Sequence, residues 1–315
     1  MHPLSEHHAG WERAHAAAHR EELVARVAQQ LPCDGTVQPL PGLYLHRVSN
    51  PTEPLHGVTT PSFCVIAQGS KVVLLSNDRY RYDPAQYLLA TAELPITSHV
   101  VEASPAHPYL SLRLNLPPTL VGSVMVEAGY PAPGDATSIR AMTVNPLAGG
   151  LLDVVVRLAR LFDAPHDARF LAPLLTRELI YRLLVSDQGG RLRQIAAIGG
   201  ATHRIVGAIE RIKREFQQPL RVEALAHEVG MSVSSFHSHF KAVTAMSPGQ
   251  YQRHLRLQEA RRLLLGEDLD AASAGARVGY EDVAYFTREY KRLFGAPPMR
   301  DVARMRTIVT AGGSP

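Results

Sequence analysis

Two stretches in the C-terminal part of the chain repeat one another. The first is Leu225-Ala226-His227-Glu228-Val229-Gly230-Met231-Ser232 followed by 236–248, and the second is 274–280 followed by 286–298. Val229-Gly230 matches Val278-Gly279 at an offset of 49, whereas Phe236, Phe240, Lys241 and Pro248 match Phe286, Tyr290, Lys291 and Pro298 at 50. The second copy therefore carries one extra residue at its turn. Each copy has the pattern of a short helix, a glycine-containing turn and a second helix, which is the arrangement of a helix-turn-helix.

Positions three, four and seven apart share a helix face, so spacing sorts the residues of each second helix. In the first copy Phe236, Phe240 and Val243 are predicted to be buried, leaving Ser234, His237, Ser238 and Lys241 opposite. In the second, Val283, Phe286, Tyr290 and Leu293 are predicted to be buried, with Ala284, Thr287, Arg288 and Lys291 outward. Small, polar and basic side chains on such a helix suit the major groove. There Arg can bind guanine O6 and N7 bidentately, and Ser, Thr or His can make single hydrogen bonds. Arg288 is the strongest candidate for a base contact, with a phosphate clamp as its alternative. His237 and His239 lie two apart and point to different faces, so they form no metal pair.

Between the copies, Ser247-Pro248-Gly249-Gln250 has the form of a capping box with Pro at the first helical position. A helix from Pro248 to Leu265 would span about 27 Å at 1.5 Å per residue. Successive major-groove faces of B-DNA lie about 34 Å apart, so such a strut lets one chain address two of them. Arg253, Arg256, Arg261 and Arg262 on this helix suit either phosphate contacts or a solvated charged face.

Charge is distributed to match. Residues 1–190 carry 14 Lys and Arg against 17 Asp and Glu, whereas residues 191–315 carry 19 against 12. The basic part is the part that contains the repeat, as expected if it meets a polyanion. With 315 residues and 45% hydrophobic composition, wholesale disorder is excluded. No apolar run of about 18 residues appears, so a soluble, non-exported protein with no membrane association is expected. Two cysteines, Cys33 and Cys64, form neither a disulfide framework nor a zinc knuckle and fit a reducing cytoplasm.

The N-terminal part has a different texture. Leu23, Val27 and Leu31 predict a helix over 11–31 with one buried stripe, ending before Pro32. The runs 43–48, 63–67, 71–75 and 109–114 are β-branched or aromatic and are separated by turn residues, as in a β-sandwich or barrel. After the Gly/Pro-rich stretch 129–134, helical periodicity resumes over 151–162 and 170–185, which predicts an antiparallel helix pair. Residues 191–201, between two Gly-Gly pairs, are expected to form a linker. Everything beyond Thr202 is predicted to be helical.

The stretch Gln258-Glu259-Ala260-Arg261-Arg262-Leu263-Leu264, then Val278-Gly279-Tyr280, Phe286 and Arg288-Glu289-Tyr290-Lys291-Arg292-Leu293-Phe294-Gly295-Ala296-Pro297-Pro298, closely resembles the DNA-binding domain of AraC/XylS-type transcriptional regulators. Residues 61–71 and 101–105 resemble the cupin-like effector-sensing domain of one AraC subgroup. The resemblance implies an α+β multidomain protein. Its parts would be a cupin-like β-barrel with flanking helices over 1–190, a linker over 191–201, an all-α double helix-turn-helix domain over 202–306 and a flexible tail over 307–315. It further implies a bacterial transcription factor, a homodimer whose affinity for double-stranded DNA is tuned by a small effector, and contact with RNA polymerase where it acts as an activator.

A cupin-type barrel can be an enzyme or a pocket. The β region offers His46, His56, His99 and His107, none in the closely spaced pair that cupin metal sites use. Neither Asp78 with Asp83 nor Glu93 with Glu102 has a spacing that marks acid–base chemistry. No metal, cofactor or catalytic residue is therefore assigned, and the alternative of a cupin-type metal-dependent enzyme with a helical accessory domain is disfavoured. The expected role is binding an apolar or semi-polar effector. Cys64 is either a small buried hydrophobe or a thiol that senses electrophiles. Lys71 and Arg113 are expected to be solvated or paired surface charges, with neutralisation of an anionic effector as the other reading.

Overall fold

A helix whose Leu23 and Val27 are buried, with Leu31 buried just past its end, carries the chain onto a β-sheet. In the computed structural model this helix, α1, spans Pro3–Gln30 and stops just before Pro32, where the proline ring disfavours further helix. The structure describes residues 3–130, 140–196, 201–267 and 269–311. Part of the Gly/Pro-rich stretch, 131–134, lies outside them. The chain divides into two units, Met1–Arg204 and Ile205–Pro315.

In the first unit α1 is followed by β1 (Gly35–Leu40), β2 (Leu43–Val48), β3 (Leu55–Thr59), β4 (Ser62–Gln68), β5 (Ser70–Leu75), β6 (Asp78–Tyr82), β7 (Gln86–Ala90), β8 (Leu94–Glu102) and β9 (Tyr109–Asn115). Then come α2 (Pro118–Glu127), β10 (Met142–Pro146), α3 (Gly149–Arg160), α4 (Pro165–Val185) and α5 (Gly189–Ala196). The strands form two antiparallel sheets, ordered β1-β2-β9-β4-β7-β10 and β3-β8-β5-β6. Alternation along the central strands gives the larger sheet two faces. Leu43 and Leu45, Phe63 and Val65, Tyr87 and Leu89, and Leu110, Leu112 and Leu114 join residues of α1 to α5 in one apolar core. The intervening residues face the smaller sheet, since Lys71 and Tyr82 of that sheet interact with Cys64 and Tyr109 of the larger.

The helix pair expected over 151–162 and 170–185 is present as α3 and α4. A short 3-10 turn, Leu161–Asp163, joins them, and α4 starts five residues earlier than periodicity indicated because Pro165 opens its first turn. The stretch 191–201 differs from the expected linker. Its first residues belong to α5, because Leu192 is fully buried in the core of the first unit and Arg191 Nη1 donates to the Arg140 carbonyl at 3.0 Å. Residues 197–200 lie outside the described set.

Among its described residues the second unit is built of helices and their connections, as expected. It contains α6 (Ala201–Arg214, whose first residues fall in the first unit), α7 (Val222–Glu228), α8 (Val233–Thr244), α9 (Pro248–Gly266), α10 (Ala271–Arg277), α11 (Val283–Phe294) and α12 (Pro298–Ala311). The stretch 307–315, expected as a flexible tail, continues α12 as far as Ala311, and 312–315 lie outside the described residues.

Candidate nucleic-acid interface

Both repeats fold as helix-turn-helix units, α7 with α8 and α10 with α11. Each second helix begins at a side-chain cap: Ser232 Oγ accepts from the Ser235 amide at 3.2 Å, and Asp282 accepts from the Tyr285 amide. These caps are 50 residues apart while the turn glycines are 49 apart, which places the extra residue between Gly279 and Asp282. Gly279 has φ +90°, and a Cβ there would lie 2.1 Å from the Gln217 carbonyl oxygen, so the second turn admits only glycine.

The two motifs are built onto α9. Its capping box forms as the sequence indicates, with Ser247 Oγ accepting from the Gln250 amide at 3.2 Å and Gln250 Oε1 accepting from the Ser247 amide at 2.9 Å. On the first side of α9, Phe236, Phe240 and Tyr251 are fully buried, with Phe240 and Tyr251 rings edge-on at 5.6 Å. On the other, Leu257, Ala260 and Leu264 meet Ala274, Val278, Phe286 and Tyr290 in a second core.

Of the α9 arginines, read as either phosphate contacts or a solvated charged face, Arg256 and Arg261 are instead committed inside the protein. Arg261 is buried and pairs with Asp301, at 2.8 Å from Nε to Oδ2. Arg256 donates to the carbonyls of Phe216, Gln217, Gln218 and Gly279 at 2.6 to 3.0 Å, and thereby ties the chain after α6 to the turn of the second motif. Arg253 pairs with Glu289 at 2.9 Å, a carboxylate only 6% exposed. Arg262 is solvent-facing and bonded to Glu259 of its own helix. The repeated apolar pattern concealed these roles because a guanidinium on a helix reads alike whether it faces water or orphan carbonyls.

The outward faces are as the spacing predicts in most respects. Ser234, His237, Ser238 and Lys241 are exposed on α8, and Ala284, Arg288 and Lys291 are exposed on α11. Thr287 is half-buried, and its hydroxyl donates to the Val283 carbonyl at 2.8 Å, which leaves its lone pairs as the free function. Val283, expected to be buried, is 46% exposed. It occupies the first position of α11, ahead of the turn where the helix meets the core, and the buried stripe runs instead through Phe286, Tyr290 and Phe294, with Leu293 half-buried. Its counterpart Val233 begins α8 in the same way and is 39% exposed. Tyr285 was also missed: it is exposed, and Arg288 Cζ lies 5.9 Å from its ring centre. The pair of valines at equal repeat positions, 233 and 283, was the available signal, and exposed apolar side chains at helix starts suit contact with thymine methyl groups.

The geometry defines a protein with two helix-turn-helix units on a common strut, each presenting a small, polar and basic helix face. Residues 39–191 match the profile of the AraC-type transcriptional regulator N-terminus, and residues 225–304 match a helix-turn-helix domain profile. The chain belongs to the AraC-type transcriptional regulators. It is 24% identical over 192 residues to the thermoregulatory protein LcrF of Yersinia pestis, covering 61% of this chain and 68% of that protein. It is 26% identical over 163 residues to the transcriptional activator RhaS of Salmonella schwarzengrund (strain CVM19633), covering 50% of this chain and 56% of that one. In fold it is similar to ToxT of Vibrio cholerae strain SCE256 in its unsaturated fatty acid-bound form, with a TM-score of 0.52 at 9% identity over 82% of this chain and 94% of ToxT.

In the first unit, Cys64 lies on the face of β4 turned toward the smaller sheet, with Ser62 Oγ 3.8 Å from its sulfur. Burial raises its thiol pKa, opposed more weakly by the Ser62 hydrogen bond and by the charges of Lys71 and Arg113. Lys71 and Arg113, expected on the surface or in ion pairs, are half-buried between the sheets. Burial pushes the Lys71 ammonium below its ordinary value, and His46 falls to about 4 through burial and then through Lys71 and Arg113. Among the described residues, no cluster of three or more His, Cys, Asp or Glu side chains is arranged to hold a metal ion, and no helix is long and apolar enough to cross a membrane.

Proposed function

We propose that the protein is a cytoplasmic, homodimeric regulator that binds double-stranded DNA sequence-specifically and whose DNA affinity is tuned by a small effector in the first unit. The observation that carries this reading is the pair of helix-turn-helix units with polar and basic outward faces on one 19-residue helix. Ser234, His237, Ser238 and Lys241 would serve one groove, and Ala284, Thr287, Arg288 and Lys291 the next. The working division is 1–190 for sensing and dimerisation, 191–201 as the connection and 202–306 for DNA, with 307–315 beyond it.

Dimerisation is supported by α4, whose Phe170, Leu174 and Tyr181 remain 70%, 61% and 48% exposed along one stretch of helix. The effector is supported by the family and by the fatty acid bound to ToxT, a protein of similar fold. Effector binding would shift which arrangement of the DNA-binding units is populated, and activation would add a contact with RNA polymerase. The relatives are regulators, which favours a binding role over catalysis. Cys64 enters as a lining residue whose raised thiol pKa weighs against a standing thiolate.

The test is selection from a random duplex library by the full chain at fixed, near-physiological salt with nonspecific competitor, since nonspecific affinity varies steeply with salt. Enrichment of one motif spanning two successive major grooves is expected. Retention of all sequences alike overturns the reading.

A further inference from the structure

The central strands of the larger sheet of the first unit are covered on both faces, and the two faces differ in chemistry. Toward the helices the sheet is mostly apolar, with Arg47 and Asn145 as polar members of that face. Toward the smaller sheet, the register places Tyr44 beside Arg113, Arg113 beside Cys64, and Cys64 beside Leu88, in one row across four neighbouring strands. Lys71 projects from the smaller sheet at the register of Tyr82 and interacts electrostatically with Cys64, Arg113 and His46. Lys71, Arg113, Cys64, Tyr44 and His46 all keep part of their surface accessible, although burial dominates the shifts of three of them. These side chains meet between the two sheets.

Two cations share this space, and neither has an acidic partner among the described residues. Arg113 stacks on the Tyr44 ring at 4.6 Å, but its Nε is buried with no hydrogen-bond acceptor. Lys71 is the only lysine in residues 1–204, so its placement is not a sample from a lysine-rich surface. Holding like charges together in a desolvated volume is unfavourable unless something negative joins them. His46, the third basic group present, is neutral at physiological pH and adds no charge. The rest of this inter-sheet region is mixed, with the Tyr82 and Tyr109 rings, the hydroxyls of Ser62 and Ser111, and the aliphatic side chains of Ile66 and Leu88.

We propose that the space between the two sheets is a binding site for an organic carboxylate with an apolar body, held by Lys71 and Arg113 together. This deepens the effector reading above and rests on it. The guanidinium of Arg113 offers its unpartnered Nε edge to the carboxylate, Lys71 supplies the second charge from the opposite sheet, and Tyr44, Ile66 and Leu88 meet the apolar part. Because the two cations stand on different sheets, a ligand bridging them ties the sheets together. That provides a physical route from occupancy to the packing of the unit.

The experiment measures binding to the full chain by calorimetry, using octanoate and benzoate, their neutral counterparts octanol and benzyl alcohol, and inorganic phosphate. At least one carboxylate is expected to bind while its alcohol does not. Lys71→Met and Arg113→Met should each weaken that binding by about tenfold or more, with partial rescue in Lys71→Arg. Without ligand, Lys71→Met should raise the unfolding midpoint, because it removes a half-buried charge with no acidic partner among the described residues. That result also shows that the variant folds. Failure of both carboxylates to bind, equal binding of the alcohols, preference for phosphate alone, or unchanged affinity in the variants overturns the proposal. DNA selection by the unmodified chain, with and without carboxylate, separates the two readings. Carboxylate binding without DNA selection leaves this site standing and removes the regulator, and DNA selection without carboxylate binding does the reverse.

Discussion

Arg261 of α9 donates from Nε and Nη2 to both carboxylate oxygens of Asp301 in α12, at 2.8 and 3.0 Å, and Asp301 has no exposed surface. Tyr290 of α11 donates its hydroxyl to the same carboxylate at 3.0 Å, and burial followed by the Asp301 charge raises the Tyr290 hydroxyl far above its ordinary value. One carboxylate thus fastens the strut, the second motif's outward-facing helix and the last helix. Breaking such a pair from one side leaves an uncompensated buried charge. Asp301→Ala should destabilise the second unit by about 3–5 kcal/mol, whereas the apolar double replacement Arg261→Met with Asp301→Leu should be much milder. Urea unfolding of the two variants reads the difference, and equal losses would show that packing, not charge, dominates.

Arg288 is exposed on α11, with Tyr285 beside it. If it reads a guanine, Arg288→Ala should weaken binding to the selected duplex by about 1–3 kcal/mol and relax preference at one base position. Lys241→Ala, if it meets a phosphate, should weaken all sequences alike and reduce the salt slope by about 1. Fluorescence anisotropy titrations over a salt series distinguish the two patterns.

Gly279 and Gly295 both have left-handed backbone, with φ +90° and +80°, but only Gly279 is closely approached by other atoms. Gly295→Ala should cost about 1–2 kcal/mol, the strain of the conformation alone. Gly279→Ala should cost more, because the Gln217 carbonyl and the Arg256 guanidinium must also move. Thermal unfolding midpoints in that order support the close approach, and equal midpoints contradict it.

His46 titrates at about 4 in the folded protein against an ordinary value of 6.5, so between those limits the unfolded chain binds a proton that the folded one excludes. Its contribution is complete above pH 6.5 and is lost as pH falls toward 4. His46→Gln should therefore flatten the fall in stability across that window and change little at pH 8. Unfolding curves at fixed salt between pH 4 and 8 check the sign, and parallel curves for the two proteins would refute it.

Much of the DNA-binding unit was legible because its signals are local. Repeat spacing, the capping box at Ser247 and the outward faces depend only on helix geometry, and β2 runs over the residues that its pattern predicts. Val283 misled because period 3.6 identifies a face without showing where along the helix the core begins. Arg256 and Arg261 misled because their partners, Asp301 and the carbonyls of 216–218, are some 40 residues away. In the first unit β4 is covered on one face by helices and on the other by a second sheet, so apolar alternation no longer marks a solvent side. Lys71 and Arg113 therefore read as surface charges when they stand inside.

Methylation interference on the selected duplex reports directly on how one chain meets DNA. Guanine N7 positions that block binding should fall in two clusters about 10 base pairs apart per chain, both in the major groove, and Arg288→Ala should erase contacts from one cluster only. A single cluster, or interference confined to the minor groove, would contradict the reading of α8 and α11 as two groove-facing helices held by α9.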